Sequence, residues 1–187
     1  MPLLEIKKYG CPVLRRRAEQ VTSFDDEIKS LVDDMFETMF EAKGVGLAAP
    51  QVGVLRRVIV VDIGPYDPAF VPLALVNPEV LAVGGEIKSE EGCLSFPGQT
   101  APVKRPARAI VRGLAADGKP VELDLADITA RVILHEIDHL DGILFIDHVP
   151  TLSRQMMRGA LRKLQKEGGK QSWEKRVVEA LPVTDLT

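Results

Sequence analysis

The sequence predicts an α+β fold in a single domain over residues 1–187. Three observations carry this reading: a strongly periodic helix near the N terminus, a middle third of short apolar runs broken by Pro and Gly, and two further helical segments after residue 125. The regular β-helix-β alternation of a parallel sheet is absent, so antiparallel or mixed sheets are expected. At 187 residues and 45% apolar content the chain can bury one sizeable core, and no composition shift resembles a linker.

Between Asp25 and Lys43 the apolar residues Ile28, Leu31, Val32, Met35, Phe36, Met39 and Phe40 recur at three- and four-residue steps, which buries one face of a helix. Ser23 is the expected N-cap and Gly44 the expected stop, while Asp25, Asp26 and Glu27 put negative charge where the helix dipole favours it. The stretch GVGLAAPQVG follows, too rich in glycine and alanine to be expected as a core element. VIVVDI reads as a buried strand, and LALVNPEVL and GGEIKSEEGCLSF as further short strands broken by Pro and Gly. RAIVRGLAADGKPVELDL reads as a hairpin turning at Asp117-Gly118. A second helix is expected from about Ala126 to Leu140, with Gly142 just past its end. A third should run from Leu152 to Lys166, burying Met156, Ala160 and Leu164 until Gly168-Gly169 ends it, with a frayed tail beyond.

Composition narrows the function. A net charge of −3 argues against a globally basic nucleic-acid binder, and no DNA partner is expected. The N terminus, MPLLEIKKYG, lacks the apolar stretch of a signal peptide, and no run approaches the roughly 18 uncharged apolar residues of a membrane span. A cytoplasmic protein without a membrane partner is therefore expected. The two cysteines, Cys11 and Cys93, are read as thiols rather than as a required bridge.

The second helix carries the chemistry. His135, Glu136 and His139 form an H-E-x-x-H run, and side chains four apart on a helix are neighbours, so the two imidazoles can share one ion while Glu136 faces its open side. Two of the chain's three histidines sit at this spacing, which weighs against a pair of ordinary core histidines. Ile128 and Val132, seven and three positions before His135, extend the same face as an apolar wall. A catalytic ion usually takes three protein ligands. Cys93, following a glycine between strands, is the best third candidate; His148, Asp138, Asp141 and Asp147 are weaker rivals. One thiolate and two neutral imidazoles leave a divalent ion one net positive charge, enough to acidify a bound water. Glu136 would take that water's proton and pass it to a departing nitrogen, the two steps of amide hydrolysis. Gln51 and the backbone N–H of Leu94 are candidate donors to the oxyanion, although spacing alone nominates neither.

GVGLAAPQ, EGCLS and HEIDH, in this order and separation, resemble the three signature segments of the peptide deformylases, and the likeness runs from YGCPVLRRRAE to about Lys166. The resemblance implies a metallohydrolase that removes formate from N-formylmethionyl nascent peptides by attack of a metal-bound hydroxide. It implies Cys93, His135 and His139 as ligands, Glu136 as the catalytic carboxylate, and Gln51 with the Leu94 amide as stabilisers of the tetrahedral intermediate. It also implies one divalent ion per chain, Fe(II) in the cell, with Zn, Ni or Co as substitutes. In this reading Gly44 and Gly46 let the peptide lie against bare backbone, and Val45, Leu94, Ile128 and Val132 receive the methionine side chain. The resemblance also implies that Glu91 and Arg105 form a pair bracing the Cys93 segment; the alternative is two solvated surface charges.

Three positions depart from the family pattern: Cys11 stands where Asp is common, Leu134 where Gln often precedes the H-E pair, and Thr100 where some members carry Arg at the groove rim. The rival readings are a general zinc metallopeptidase, which completes its site with a downstream His or Glu, and a catalytically silent metal-stabilised binding protein. A basic stripe of Arg154, Arg158, Arg162, Lys166 and Lys170, with Lys163, Lys175 and Arg176 added, marks a candidate ribosome contact on the C-terminal helix.

Overall fold

A computed structural model describes residues 3–173. Helix α1 (Asp26–Glu41) opens the fold. Its N-cap is Asp25 rather than Ser23: the Asp25 carboxylate accepts from the amides of Glu27 and Ile28, while Ser23 Oγ only supports that carboxylate from outside. A charged oxygen next to the orphan amides serves better than a hydroxyl two residues earlier. The helix also stops differently. Lys43 takes the left-handed conformation at φ 55°, and the amides of Lys43 and Gly44 close back on Phe40 and Met39. A lysine thus fills the position usually reserved for glycine in this helix-ending motif.

The segment 44–53, expected outside the core, is among its most buried parts. It forms strand β1 (Gly46–Ala48) and a 3₁₀ turn at Ala49–Val52, with Leu47, Ala48 and Ala49 fully buried. Small side chains let this edge strand of the sheet pack between two helices, a packing that residue size alone did not reveal. Strand β2 (Val58–Val61) follows as expected. Strand β3 (Leu73–Gly84) is one long strand rather than short pieces. It accommodates Pro78 by breaking register between Val76 and Glu79, where Asn77 adopts φ 51°. The ribbon of β4 (Ile87–Gly92) and β5 (Thr100–Arg105) stands apart, and β6 (Arg108–Leu114) with β7 (Pro120–Ala126) forms the expected hairpin. Five strands make one antiparallel sheet in the order β1-β2-β3-β6-β7.

Helix α2 (Asp127–Leu140) lies across this sheet and carries the H-E-x-x-H run. Strand β2 shows why its four residues are all apolar: Ile59 and Val61 pack towards α2, and Val58 and Val60 towards α1, so both faces are covered. A third cluster of Val13, Leu14, Phe96, Phe145, Leu161 and Leu164 supports the turn after β4 from below.

The third expected helix is two. Helices α3 (Thr151–Met156) and α4 (Arg158–Gly168) meet at Met157; Leu164 is buried as expected, and Leu161 is buried where Met156 was expected to be. Met156 is 83% exposed, because the break turns its side of α3 to solvent. Gly168 ends α4 against the N-terminal segment: a β-carbon there would overlap the backbone oxygens of Lys8 and Tyr9. Part of the tail expected to fray, and Lys175 and Arg176 of the basic stripe, lie outside the described residues.

Candidate active site and metal centre

Helix α2 places His135 and His139 one turn apart, with ring centroids 4.9 Å from each other. The turn after β4 carries Cys93 across to them, so that Cys93 Sγ lies 3.3 Å from His139 Nε2. One ligand atom from each of Cys93, His135 and His139 falls within 4.8 Å of the other two. Sulfur and nitrogen bonded to one tetrahedral ion at about 2.3 and 2.1 Å stand about 3.6 Å apart, so the spacing suits a single cation. Among the described residues this is the only such cluster. His148, Asp138, Asp141 and Asp147, the rival third ligands, do not join it.

Hydrogen bonds decide which nitrogens are free. His135 Nδ1 lies 2.7 Å from Glu91 Oε1. Burial pushes the Glu91 carboxyl up, but the hydrogen bonds from Arg105 and His135 outweigh it and hold the group well below the usual carboxylate range. An ionised Glu91 only accepts, so His135 donates through Nδ1 and presents Nε2 to the cluster. Burial, followed by the neighbouring His135, pushes His139 well below its ordinary value, which favours the neutral imidazole that ligates. For His135 burial acts the same way, yet hydrogen bonds to Cys93 and Glu91 prevail and raise it. The donor set therefore fits a divalent metal of borderline softness.

The pair expected to brace the Cys93 segment is a buried fork. Arg105 donates to both Glu91 oxygens, at 2.8 and 2.7 Å, and the two side chains are only 4% and 6% exposed. A solvated surface pair is excluded. Sequence reading missed the third member: Arg131 Nη2 lies 3.0 Å from Glu91 Oε2 and donates to the carbonyl of Ser89 at 2.7 Å, tying α2 to β4. Arg131 stands four residues before His135, so the spacing that found Ile128 and Val132 also pointed to this face.

Glu136 is 4% exposed beside the cluster, and its Oε2 has no hydrogen-bond partner. Burial pushes its carboxyl up to about 7. The group faces β1, where a β-carbon at Gly46 would overlap Glu136 Oε1, so glycine at 46 is what admits the carboxylate. Gln51, on the 3₁₀ turn after β1, is 1% exposed. Its Oε1 accepts from Ala48 N at 2.8 Å, which directs Nε2 towards Ser95 Oγ at 3.2 Å and Cys93 Sγ at 3.4 Å. Ser95 is a second residue that sequence reading missed; only its nearness to Cys93 in EGCLS hinted at it. Leu94 directly follows Cys93, and its side chain covers Gly44. These groups open on a cavity of about 530 Å³ whose walls include Gly44, Val45, Leu94, Ile128 and Val132, the residues expected to receive substrate. Thr100 lies on the same wall as β4.

The family model described as polypeptide deformylase matches residues 3–155. The chain is 50% identical over 158 residues to the peptide deformylase of Thermodesulfovibrio yellowstonii, covering 84% of this chain and 96% of that one. It is 49% identical over 157 residues to that of Halothermothrix orenii, covering 84% and 100%. Among solved structures, the peptide deformylase of Thermus thermophilus superposes with a TM-score of 0.82 at 42% identity, covering 89% of this chain and 99% of that one. The enzyme of Plasmodium falciparum superposes with a TM-score of 0.84 at 37% identity, covering 91% and 100%.

Proposed function

Because this chain belongs to the polypeptide deformylase family, whose members remove the N-formyl group from newly made polypeptides, we propose that Cys93, His135 and His139 hold its catalytic cation and that Glu136 moves the proton. The reaction is hydrolysis of a formyl amide at an N-terminal methionine, with release of formate. The observation that carries the assignment is the meeting of one thiol and two imidazoles from distant parts of the chain within 4.8 Å, next to a buried carboxyl.

The chemistry a divalent cation supplies at such a site is Lewis acidity, which polarises a carbonyl and makes water a competent nucleophile near neutral pH. The residues do the rest. Glu136 accepts the proton of the attacking water at its partnerless Oε2 and delivers it to the leaving nitrogen. Gln51 Nε2, aimed by the Ala48 amide, and the backbone N–H of Leu94 donate to the oxygen that gains charge. Gly44, Val45 and Gly46 carry the peptide as an added strand, and Ile128 and Val132 with Leu94 form the apolar slot for methionine. Glu91, clamped by Arg105, keeps His135 in the ligating tautomer. All of this belongs to one catalytic domain spanning the chain.

Fe(II) is the proposed metal in the cell, with Ni, Co and Zn able to replace it, since a thiolate and two imidazoles accept each of them. The substrate is made in the cytoplasm, which we propose as the site of action. No helix among the described residues is long and apolar enough to cross a membrane. Ribosome contact is proposed for the basic stripe: Arg154, Arg158 and Arg162 line one groove with Arg15, Lys166 is exposed on α4, and Lys170 is exposed just past its end. Salt-sensitive cosedimentation with ribosomes, lost on charge reversal of the three arginines, supports it; no cosedimentation at low salt ends it.

The general metallopeptidase reading expects a downstream third ligand, and Cys93 lies upstream. The deciding experiment loads anaerobically purified protein with Fe(II) or Ni(II) and measures formate from formyl-Met-Ala, alongside Glu136→Ala. Formate from the parent alone is expected. Equal turnover by Glu136→Ala removes Glu136 from the reaction.

A further inference from the structure

One group of polar side chains beside the site has no part in the steps above. Asp138 lies on α2 between the two histidines, and its Oδ2 accepts from Arg105 Nη1 at 2.8 Å and from His148 Nε2 at 2.8 Å. Arg105 in turn grips Glu91, and Glu91 receives Nδ1–H of His135. The result is an unbroken line of hydrogen bonds from an imidazole at the surface to an imidazole of the ligand cluster. Burial deepens along it: the side chain of His148 is 36% exposed, Asp138 20%, and Arg105 4%.

We propose that His148 is a positioning residue of the metal centre, acting through Asp138, Arg105 and Glu91 on His135. The proposal rests on the assignment of Cys93, His135 and His139 as ligands.

Charge explains why the line must be complete. Arg105 and Arg131 bring two guanidinium groups against the single carboxylate of Glu91, and Asp138 supplies the second negative charge. With both acids in place the four charges cancel. Asp138 is the more exposed acid, so besides Arg105 on its buried side it needs a partner that competes with water for Oδ2 on its open side. His148 does so from a fixed position: it follows the 3₁₀ turn Phe145–Asp147, its amide donates to Phe145 O at 3.0 Å, and Phe145 is 1% exposed in the core. If His148 is lost, Asp138 is free to rotate towards solvent, Arg105 Nη1 loses its partner, and the fork on Glu91 loosens. A looser Glu91 lets the His135 ring turn, and a ligand that turns releases its ion sooner.

The test reads metal release. Holoprotein loaded with cobalt(II) is mixed with excess chelator, and loss of the visible cobalt absorption gives the off-rate. Residues that orient a ligand directly change metal affinity about 10- to 100-fold, so His148, three links further out than Glu91, should change the off-rate about 3- to 10-fold. His148→Phe, which keeps the ring and removes the donor, should release cobalt faster by that factor. His148→Gln, which restores a donor, should return to within about twofold of the parent, while the metal-free forms melt alike. Should His148→Phe fail to fold, Asp138→Asn tests the next link and should release cobalt at least as fast. Release by His148→Phe at the parent rate overturns the proposal. So does equal acceleration in the Phe and Gln variants with a parallel fall in melting temperature, because that marks lost packing. Retention of cobalt by Cys93→Ala at the parent rate would instead overturn the ligand assignment, and the proposal with it.

Discussion

Gly46 and Glu136 touch across the seam between β1 and α2, so closely that a methyl group at position 46 would occupy the space of the carboxylate oxygen. Two residues ninety positions apart thus define one another: the strand is bare at this point because the helix points an acid at it. Gly46→Ala should therefore displace Glu136 without touching a metal ligand. A misplacement on the order of 1 Å costs about 100-fold in rate. Metal content should stay at one ion per chain while kcat falls by roughly that factor; an Ala variant with parent kcat would show that the carboxylate can move aside freely.

Gln51 is aimed by one bond and supported by another. Removing its amide in Gln51→Leu deletes a donor to the developing oxyanion, a loss worth about 10²- to 10³-fold in kcat. Ser95→Ala removes only the neighbour of Nε2, 3.2 Å away, and should cost less, about three- to tenfold. Steady-state kinetics on formyl-Met-Ala separates the two. If the Leu variant loses affinity for substrate and keeps kcat, Gln51 binds the ground state instead.

Arg105→Met takes one partner from a buried ion pair and leaves Glu91 to Arg131 and His135. Breaking such a pair costs on the order of 3 to 5 kcal/mol, and the remaining Arg131 should hold the loss to the lower part of that range. The melting temperature of the metal-free protein should fall accordingly, and metal should exchange faster. Unchanged stability and unchanged metal content in Arg105→Met would mean that Glu91 does not depend on the fork.

Acid should reveal Asp147. Burial raises this carboxyl, but hydrogen bonds from Arg15 and from the Leu144 amide outweigh it and lower its pKa. A group lowered in the folded state stabilises above its unfolded value, about 3.9, and that contribution is lost as pH falls through the folded value. Asp147→Asn keeps an acceptor for Leu144 and removes the charge. It should be less stable than the parent near neutral pH by no more than about 1 kcal/mol, since the pair is partly exposed to solvent. The gap between urea midpoints should narrow as pH falls below the unfolded value of about 3.9 and through the lowered folded value. A gap of constant size from pH 7 to pH 3 would assign the effect to packing rather than charge.

The strongest periodic signals in the chain survived folding almost unchanged. Helices α1 and α2 lie within about two residues of where three- and four-residue spacing put them, and the hairpin of β6 and β7 turns at Asp117-Gly118. Both are local patterns, complete within a short window. The departures occur where distant chain decides. Segment 44–53 looked like a loop because its side chains are small, yet small side chains are what a strand needs when a helix presses an acid against it. The helix expected over 152–166 breaks at Met157, which lets Leu161 and Leu164 reach a core built by the N-terminal segment.

The same division runs through the site. His135, Glu136 and His139 were legible because a helix converts a spacing of four into a shared face, and Cys93 because few other thiols or imidazoles were on offer. Arg131 shares that face by spacing, but its role, like those of Ser95 and the Asp138–His148 pair, comes from partners on other elements. By itself, the order of residues nominated the groups that the fold brings together as a possible ion site, and the helix that holds most of them. Only the tertiary structure decided which nitrogens are free, which carboxylate stays charged and how the ring of His135 is held. Those properties depend on burial and on hydrogen bonds between segments that meet only when the chain has closed.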